Sequence, residues 1–452
     1  MRNQELFDAA KRRLVQSAGA LAAGVGVWPL EAFSSTGQAT SNARVSAIDL
    51  SCQVSASRLD ALVAQAFPLF NHPVILPGFE ATRLGARYDV NLHRIHTYIT
   101  VPETRERLLV SGLLAVPVKA VGPVPVVSWQ HGTILSYDQV PSNMVLLRDP
   151  NYQMSDSKDS LETLLNVHRF AGQGYAVIAA DYVGKGPARR GRGEGYAVKA
   201  VTVRTCLSML GIGLEALKSL GFTPGKLFLN GWSQGALNTQ WLHQALRAAG
   251  RPVAATAVQS PYNDLSQAWR FWAGVQTFPN PPGVSTYPAL PDWISLCMIV
   301  ALGSYQLHYK LDGLLKAAIR PEFHDLAQKF WADYSLDFDP HKAFPSGLNL
   351  LVPGFFDRFT DVRNSAFLRL MANNTATYWN YDAPIRFHFG LADEAIHPAM
   401  VGRALAAGGP NAQGVPIVGA SHRGTFLASL YGHGESLGGQ ENVLEWFNAR
   451  NR

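Results

Sequence analysis

Cysteine is scarce and scattered in this chain. Its 452 residues include Cys52, Cys206 and Cys297 only. No C-x-x-C pair is present, which excludes a zinc-ribbon type of site and a dense disulfide framework and leaves room for one bridge at most. Charge is also thin: 16% of residues are Asp, Glu, Lys or Arg, and the net charge is +6. No basic helix or basic–aromatic interleaving accompanies that small excess, so no nucleic-acid partner is expected. No internal repeat is evident. The apolar run near the N-terminus is too short and too glycine-rich for a stable membrane span, and no other stretch reaches spanning length. Histidine is plentiful, at 13, yet forms no metal-ligand pattern. His93 and His96 point to opposite faces of a predicted strand, His388 sits inside another, and Asp357 and Asp361 read as a solvated helix face. No catalytic metal and no cofactor is expected.

Apolar residues are what the chain has in quantity. They make up 47% of it, with 10 Trp, 15 Tyr and 22 Phe, enough for a large core in one enlarged domain or two. At the N-terminus, Lys11-Arg12-Arg13 precedes the mildly apolar Leu14–Leu30. Small residues follow near Gly37-Gln38-Ala39 and Ser41-Asn42-Ala43. Residues 1–43 therefore read as an export signal that resembles the twin-arginine type, for a periplasmic or extracellular protein, with an amphipathic helix as the alternative. Residues 44–84 read as an N-terminal extension.

From about residue 85 the pattern turns to β and then alternates. His93–Pro102 and Arg107–Val118 predict a strand pair joined at Glu103–Glu106. Short buried runs follow at Pro125–Gln130, Tyr175–Asp181, Lys226–Asn230, Val253–Gln259, Ile385–Gly390 and Val415–Gly419, separated by helical stretches such as Tyr196–Leu220. Strands alternating with helices predict an α/β protein with a mostly parallel sheet covered on both faces. Residues 85–260 and 382–452 make that core. The interval 261–381 breaks the alternation and predicts a helical cap over the sheet's C-terminal edge, with helices at Leu265–Phe271, Trp293–Lys310, Leu311–Ile319, Phe323–Tyr334 and Arg363–Ala372. A second domain remote from the site is the alternative.

Gly231-Trp232-Ser233-Gln234-Gly235 follows the apolar run KLFLN and opens a helix-compatible stretch. Strand, G-x-S-x-G, helix is the arrangement of a nucleophile elbow. A serine hydroxyl attacks a carbonyl only if it projects clear of the backbone, and the flanking glycines admit backbone where a Cβ would clash. A serine nucleophile needs a base, and the base needs an orienting acid. His422 lies just beyond the last predicted strand and Asp393 just beyond the one before it. Ser233, Asp393, His422 is the chain order of an α/β-hydrolase triad. Glu394 is the rival acid and His433 the rival base. The loop after the third predicted strand, Gln130-His131-Gly132-Thr133, offers the Thr133 N–H as an oxyanion donor beside that of Gln234; a His-Gly turn without catalytic part is the alternative. The loop Gly184–Gly195, with Lys185, Arg189, Arg190 and Arg192, reads as a solvated basic loop with room nearby for an anionic group.

Trp129–Ser142, Gly174–Gly186, Gly195-Tyr196-Ala197-Val198, the GWSQG elbow and the LADEAIHP and SHRGTF segments together resemble the secretory lipase family, fungal lipase A-like serine esterases and lipases. The resemblance covers most of residues 90–430. It implies an α/β-hydrolase fold with a large helical cap, a small-molecule or lipid ester as substrate, and Ser233, Asp393 and His422 at the triad positions. A serine peptidase or amidase on the same fold, or a non-catalytic binding protein, are the readings from other classes. Oligomeric state is left open.

Overall fold

The computed structural model describes residues 48–452 apart from 190–192, 335, 337–341 and 358–360. The expected export signal, and Arg190 and Arg192 of the basic loop, lie outside the described residues.

Among the described residues nine strands form one sheet: β1 (Ile48–Val54), β2 (Val90–Thr100), β3 (Arg107–Pro117), β4 (Val124–Gln130), β5 (Ala176–Ala180), β6 (Pro224–Trp232), β7 (Ala255–Gln259), β8 (Ile385–Gly390) and β9 (Ala412–Ile417). Their order is β1-β2-β3-β5-β4-β6-β7-β8-β9. β1, β2, β3 and β5 pair antiparallel; from β5 through β4 to β9 every pairing is parallel. β4, β5 and β7 are buried along their whole length, as expected of parallel strands covered on both faces. Successive side chains on a strand point to opposite faces. Val126, Ile178 and Leu229 accordingly join one hydrophobic cluster, whereas Val127, Val177 and Phe228 join the other.

Among the described residues the α-helices of five or more residues are α1 (Ala56–Phe70), α2 (Leu161–Phe170), α3 (Lys199–Ser219), α4 (Gln234–Ala248), α5 (Leu265–Trp272), α6 (Trp293–His308), α7 (Leu314–Ala318), α8 (His324–Asp333), α9 (Val362–Asn373), α10 (Gly402–Ala407), α11 (His422–Tyr431) and α12 (Val443–Asn451). Side chains of α3 and α4, among them Leu210 and Trp241, bury one face of the sheet, and those of α1, α2, α11 and α12 the other. The helices predicted between 261 and 381 correspond to α5–α9; α6, α7 and α8 are shorter than expected, whereas α5 runs one residue further and α9 gains one at each end. Their buried side chains belong to the same hydrophobic cluster as α3 and α4, and the described residues gather into one compact unit.

One expectation needs correction, and two points that the sequence left open are filled in. Residues 48–70, read as an extension, contain an edge strand and a helix. β1 alternates exposed and half-buried residues, so a hydrophobic count passes it over. α3 is, contrary to expectation, long and apolar enough to cross a membrane. Its apolar residues Val201, Cys206, Met209, Leu210 and Leu217 are instead buried against the protein, as in the core helix of an α/β fold. The three cysteines form no disulfide: burial makes Cys206 and Cys297 inert thiols, their pKa values pushed up to about 12.

Candidate active site

β6 ends at Trp232 and α4 begins at Gln234, leaving Ser233 alone at the turn. Ser233 has φ 57° and ψ −120°, a region that non-glycine residues avoid unless the surroundings force it. The surroundings are identifiable. Its N–H donates to the Gln259 carbonyl of β7 at 2.9 Å. A Cβ on Gly235 would fall on the carbonyl oxygen of Gln130 in β4, and one on Gly231 would strike the Thr239 side chain and the Gly235 carbonyl. Only glycine permits the chain to turn this tightly at both positions.

Ser233 and His422 line one cavity of about 720 Å³, together with Thr133, Trp232, Trp293 and Glu394. His422 is the first residue of α11, in a turn that Ser421 caps by accepting the Gly424 N–H at 3.1 Å. Trp232 holds it from the elbow side: its indole N–H donates to the His422 carbonyl at 3.2 Å, and the two rings lie 5.0 Å apart.

The two adjacent carboxylates make different contacts. Asp393, fully buried, meets His422 Nδ1 with both oxygens, at 3.0 and 3.1 Å. Its Oδ1 also accepts the backbone N–H groups of Ala395 and Ile396, at 3.1 and 2.9 Å. An ionised carboxylate only accepts, so Nδ1 carries the proton and Nε2 keeps its lone pair in the neutral ring. Glu394 accepts the backbone N–H of His422 at 2.9 Å; its bond is to the main chain, not the ring. Burial pushes the His422 pKa down, but the charge and hydrogen bond of Asp393, with the charge of Glu394 beyond it, prevail and raise it above 6.5.

Thr133 also lines the cavity. The Gly132 carbonyl lies 2.8 Å from His131 Nδ1, and in a trans peptide the next N–H, that of Thr133, points the opposite way. A Cβ on Gly132 would press on the Trp232 ring at 3.0 Å. Gln234 does not line the cavity. It is the first residue of α4, so its N–H has no acceptor within the helix and sits at the positive end of the helix dipole.

Other predicted groups are placed elsewhere. His433 lies in a separate cavity with Arg83 and Phe67, its Nε2 3.3 Å from Arg83. His388 is wholly buried, which holds its pKa down at about 3. His93 pairs with Ser51 at 2.7 Å, and Asp361 caps α9. The solvated basic loop needs correction at Lys185, which is 1% exposed and paired with Glu194 at 3.1 Å. Among the described residues no group of three or more His, Cys, Asp or Glu is arranged to hold a metal.

Sequence reasoning missed one wall of the cavity, formed by Asp156, Asp159, Glu162 and Arg423. Arg423 binds Asp156 in a fork, at 2.9 and 3.0 Å. Asp159 accepts from the Tyr152 hydroxyl and the Ser155 N–H, both at 2.8 Å. Glu162, in the first turn of α2, is buried with Oε1 unpartnered. Burial pushes its pKa up to about 7, against the pull of the Arg423 charge. Only the position of Arg423, next to His422, could have signalled this wall.

No family model and no curated protein matches the chain. Solved structures do. A candidate hydrolase from Legionella pneumophila superposes with a TM-score of 0.68 at 17% identity, over 90% of this chain and 98% of its own. The rice cell wall degrading esterase LipA from Xanthomonas oryzae gives 0.65 at 19%, over 85% and 95%. Candida antarctica lipase A gives 0.54 at 13%, over 83% and 77%. The chain has the α/β-hydrolase fold. At these identities the likeness concerns fold, and the lipase A match agrees at that level with the resemblance read from the motifs.

Proposed function

We propose that this α/β-hydrolase cleaves carboxylic esters through an acyl-enzyme on Ser233. The observation that carries the reading is a serine in a strained turn sharing a cavity with a histidine whose Nδ1 is held by a buried aspartate. Asp393 keeps Nε2 of His422 unprotonated. His422 takes the Ser233 proton as Oγ attacks the ester carbonyl, the Thr133 and Gln234 N–H groups hold the oxyanion, and His422 protonates the departing alcohol. Water then repeats the sequence on the acyl-enzyme, with the alcohol's place taken by Ser233. No cofactor enters these steps.

The cavity wall supports an esterase of short or polar esters over a lipase of long acyl chains. Among the described residues Trp293 is the one lining residue from the 261–381 insertion, and beside the apolar Ile134, Leu135 and Trp232 the charged side chains of Asp156, Asp159, Glu162, Glu394 and Arg423 border the space. An alkyl chain gains about 0.8 kcal/mol per methylene, close to fourfold in kcat/KM, only where it is buried against apolar surface. Across p-nitrophenyl esters of rising acyl length, kcat/KM is expected to peak at a short chain, and the matching anilide is expected to turn over far more slowly. A long-chain optimum with activity on emulsified triglyceride would make the enzyme a lipase; a faster anilide would make it an amidase. We further propose that the enzyme is exported on the strength of residues 11–43. N-terminal sequencing from the native host is expected to find the mature start near residues 40–44, and an intact Met1 in the cytosol would contradict export.

A further inference from the structure

Lys185, in the loop after β5, is sealed from solvent and does not line the cavity. An ammonium has three N–H donors, and Lys185 has three acceptors. Nζ lies 3.1 Å from the Ile134 carbonyl, 3.0 Å from the Ser136 carbonyl and 3.1 Å from Glu194 Oε1. Both carbonyls belong to the segment Thr133–Ser136, which lines the cavity beside Ser233. A fourth group closes the cluster from the insertion. The Tyr334 ring sits 3.8 Å from Nζ, and its hydroxyl donates to the same Glu194 oxygen. Tyr334 ends α8 with φ 55°, and a second tie runs alongside, from the Tyr137 hydroxyl to the Ala332 carbonyl at 2.6 Å.

We propose that Lys185 is a positioning residue for ester hydrolysis: its ammonium clamps the Thr133–Ser136 segment so that the Thr133 N–H faces the oxyanion, and Glu194 and Tyr334 make the clamp depend on the seating of the insertion. The role rests on the serine-esterase reading above. Two carbonyls and one carboxylate converge on a single atom, and no other side chain places three N–H groups on one nitrogen. Arginine spreads its donors over a planar fork and cannot replace it. With the clamp gone, the backbone of residues 134–136 can rotate its carbonyls toward other donors, and the adjoining Thr133 N–H is no longer fixed in direction.

The test is Lys185→Met combined with Glu194→Gln, which leaves no unpaired charge. Exchanging a buried ion pair for neutral groups of similar volume is often close to neutral for stability. The folded variant is expected to lose about 10- to 100-fold in kcat on a short p-nitrophenyl ester, on the scale of weakening one oxyanion donor. KM is expected to stay within about threefold, since ground-state binding does not use that donor. The rate of Ser233 phosphonylation is expected to fall by the same factor as kcat, a parallel that a merely structural role would not produce. A folded double variant with kcat within about twofold of wild type would overturn the assignment. Tyr334→Phe keeps the ring over Nζ and removes only the hydroxyl. A loss of about three- to tenfold in its kcat at unchanged KM and Tm supports the coupling to the insertion, including where the double variant fails to fold; unchanged kcat would overturn that coupling. Wild-type protein that neither hydrolyses esters nor reacts with the phosphonate would instead overturn the serine-esterase reading itself.

Discussion

Replacing Asp393 by Asn is expected to reduce kcat by about 10⁴-fold, the loss seen where a triad acid becomes an amide. That factor corresponds to about 5.4 kcal/mol of transition-state stabilisation. The local geometry shows why so small a change costs so much. Oδ1 must accept the Ala395 and Ile396 N–H groups, at 3.1 and 2.9 Å, so the amide oxygen of the variant stays there. Its NH₂ then takes the Oδ2 position, 3.1 Å from His422 Nδ1, and donates to it. The ring responds by moving its proton to Nε2, the atom that must receive the Ser233 proton. Glu394→Gln differs, because its acceptor role toward the His422 main chain (2.9 Å) survives in the amide oxygen. Only a neighbouring charge is lost, and about a three- to tenfold fall in kcat is expected. Single-turnover and steady-state kinetics on a soluble p-nitrophenyl ester, with melting curves as the folding control, make the comparison. Equal losses at the two positions, or the larger loss at Glu394, would refute the assignment of the acid.

Two further outcomes follow from titration. His422 acts as a base only when neutral and its pKa is raised, so kcat/KM is expected to be high at alkaline pH and to fall as pH drops through a value above 6.5. Glu394→Gln removes a charge that favours the imidazolium and shifts this limb to lower pH; a limb that stays in place would remove Glu394 from the electrostatics of the ring. Glu162 has a folded pKa of about 7 against an ordinary 4.5, so the fold favours its neutral form. Its ionisation costs nothing below pH 4.5 and accumulates a penalty of about 3 kcal/mol as pH rises through 7. Glu162→Gln, which cannot ionise, is expected to melt higher than wild type at pH 8 and alike at pH 4; the opposite order at pH 8 would show that Glu162 is held as a carboxylate.

Much of this was legible in the sequence, and what was not has a common cause. The elbow is local: five consecutive residues, a preceding apolar run and a following helix specify Ser233, and the structure finds the turn there. Asp393 and His422 follow because each stands just past a strand. Choosing between Asp393 and Glu394 needs the direction of each side chain, which adjacent positions in a loop do not reveal. Lys185 was misread because its partners are a glutamate across a glycine-rich loop and a tyrosine in the insertion, and only the fold brings them together. Glu162 gave no signal because a glutamate in the first turn of a helix is ordinary on a surface; its burial comes from tertiary packing. β1 was missed because Ile48–Val54 contains polar residues at an exposed sheet edge.

The most direct test of the central claim is covalent. A fluorophosphonate forms a stable tetrahedral adduct with an activated serine. Intact-mass and peptide spectrometry of the folded protein are predicted to show one adduct per chain, on the peptide bearing Ser233, with ester hydrolysis lost in step with labelling. Ser233→Ala is predicted to melt like wild type, to take no label and to lose about 10⁶-fold in kcat. A folded Ser233→Ala protein that keeps a substantial share of the wild-type rate, or a label on any other serine, would contradict the account.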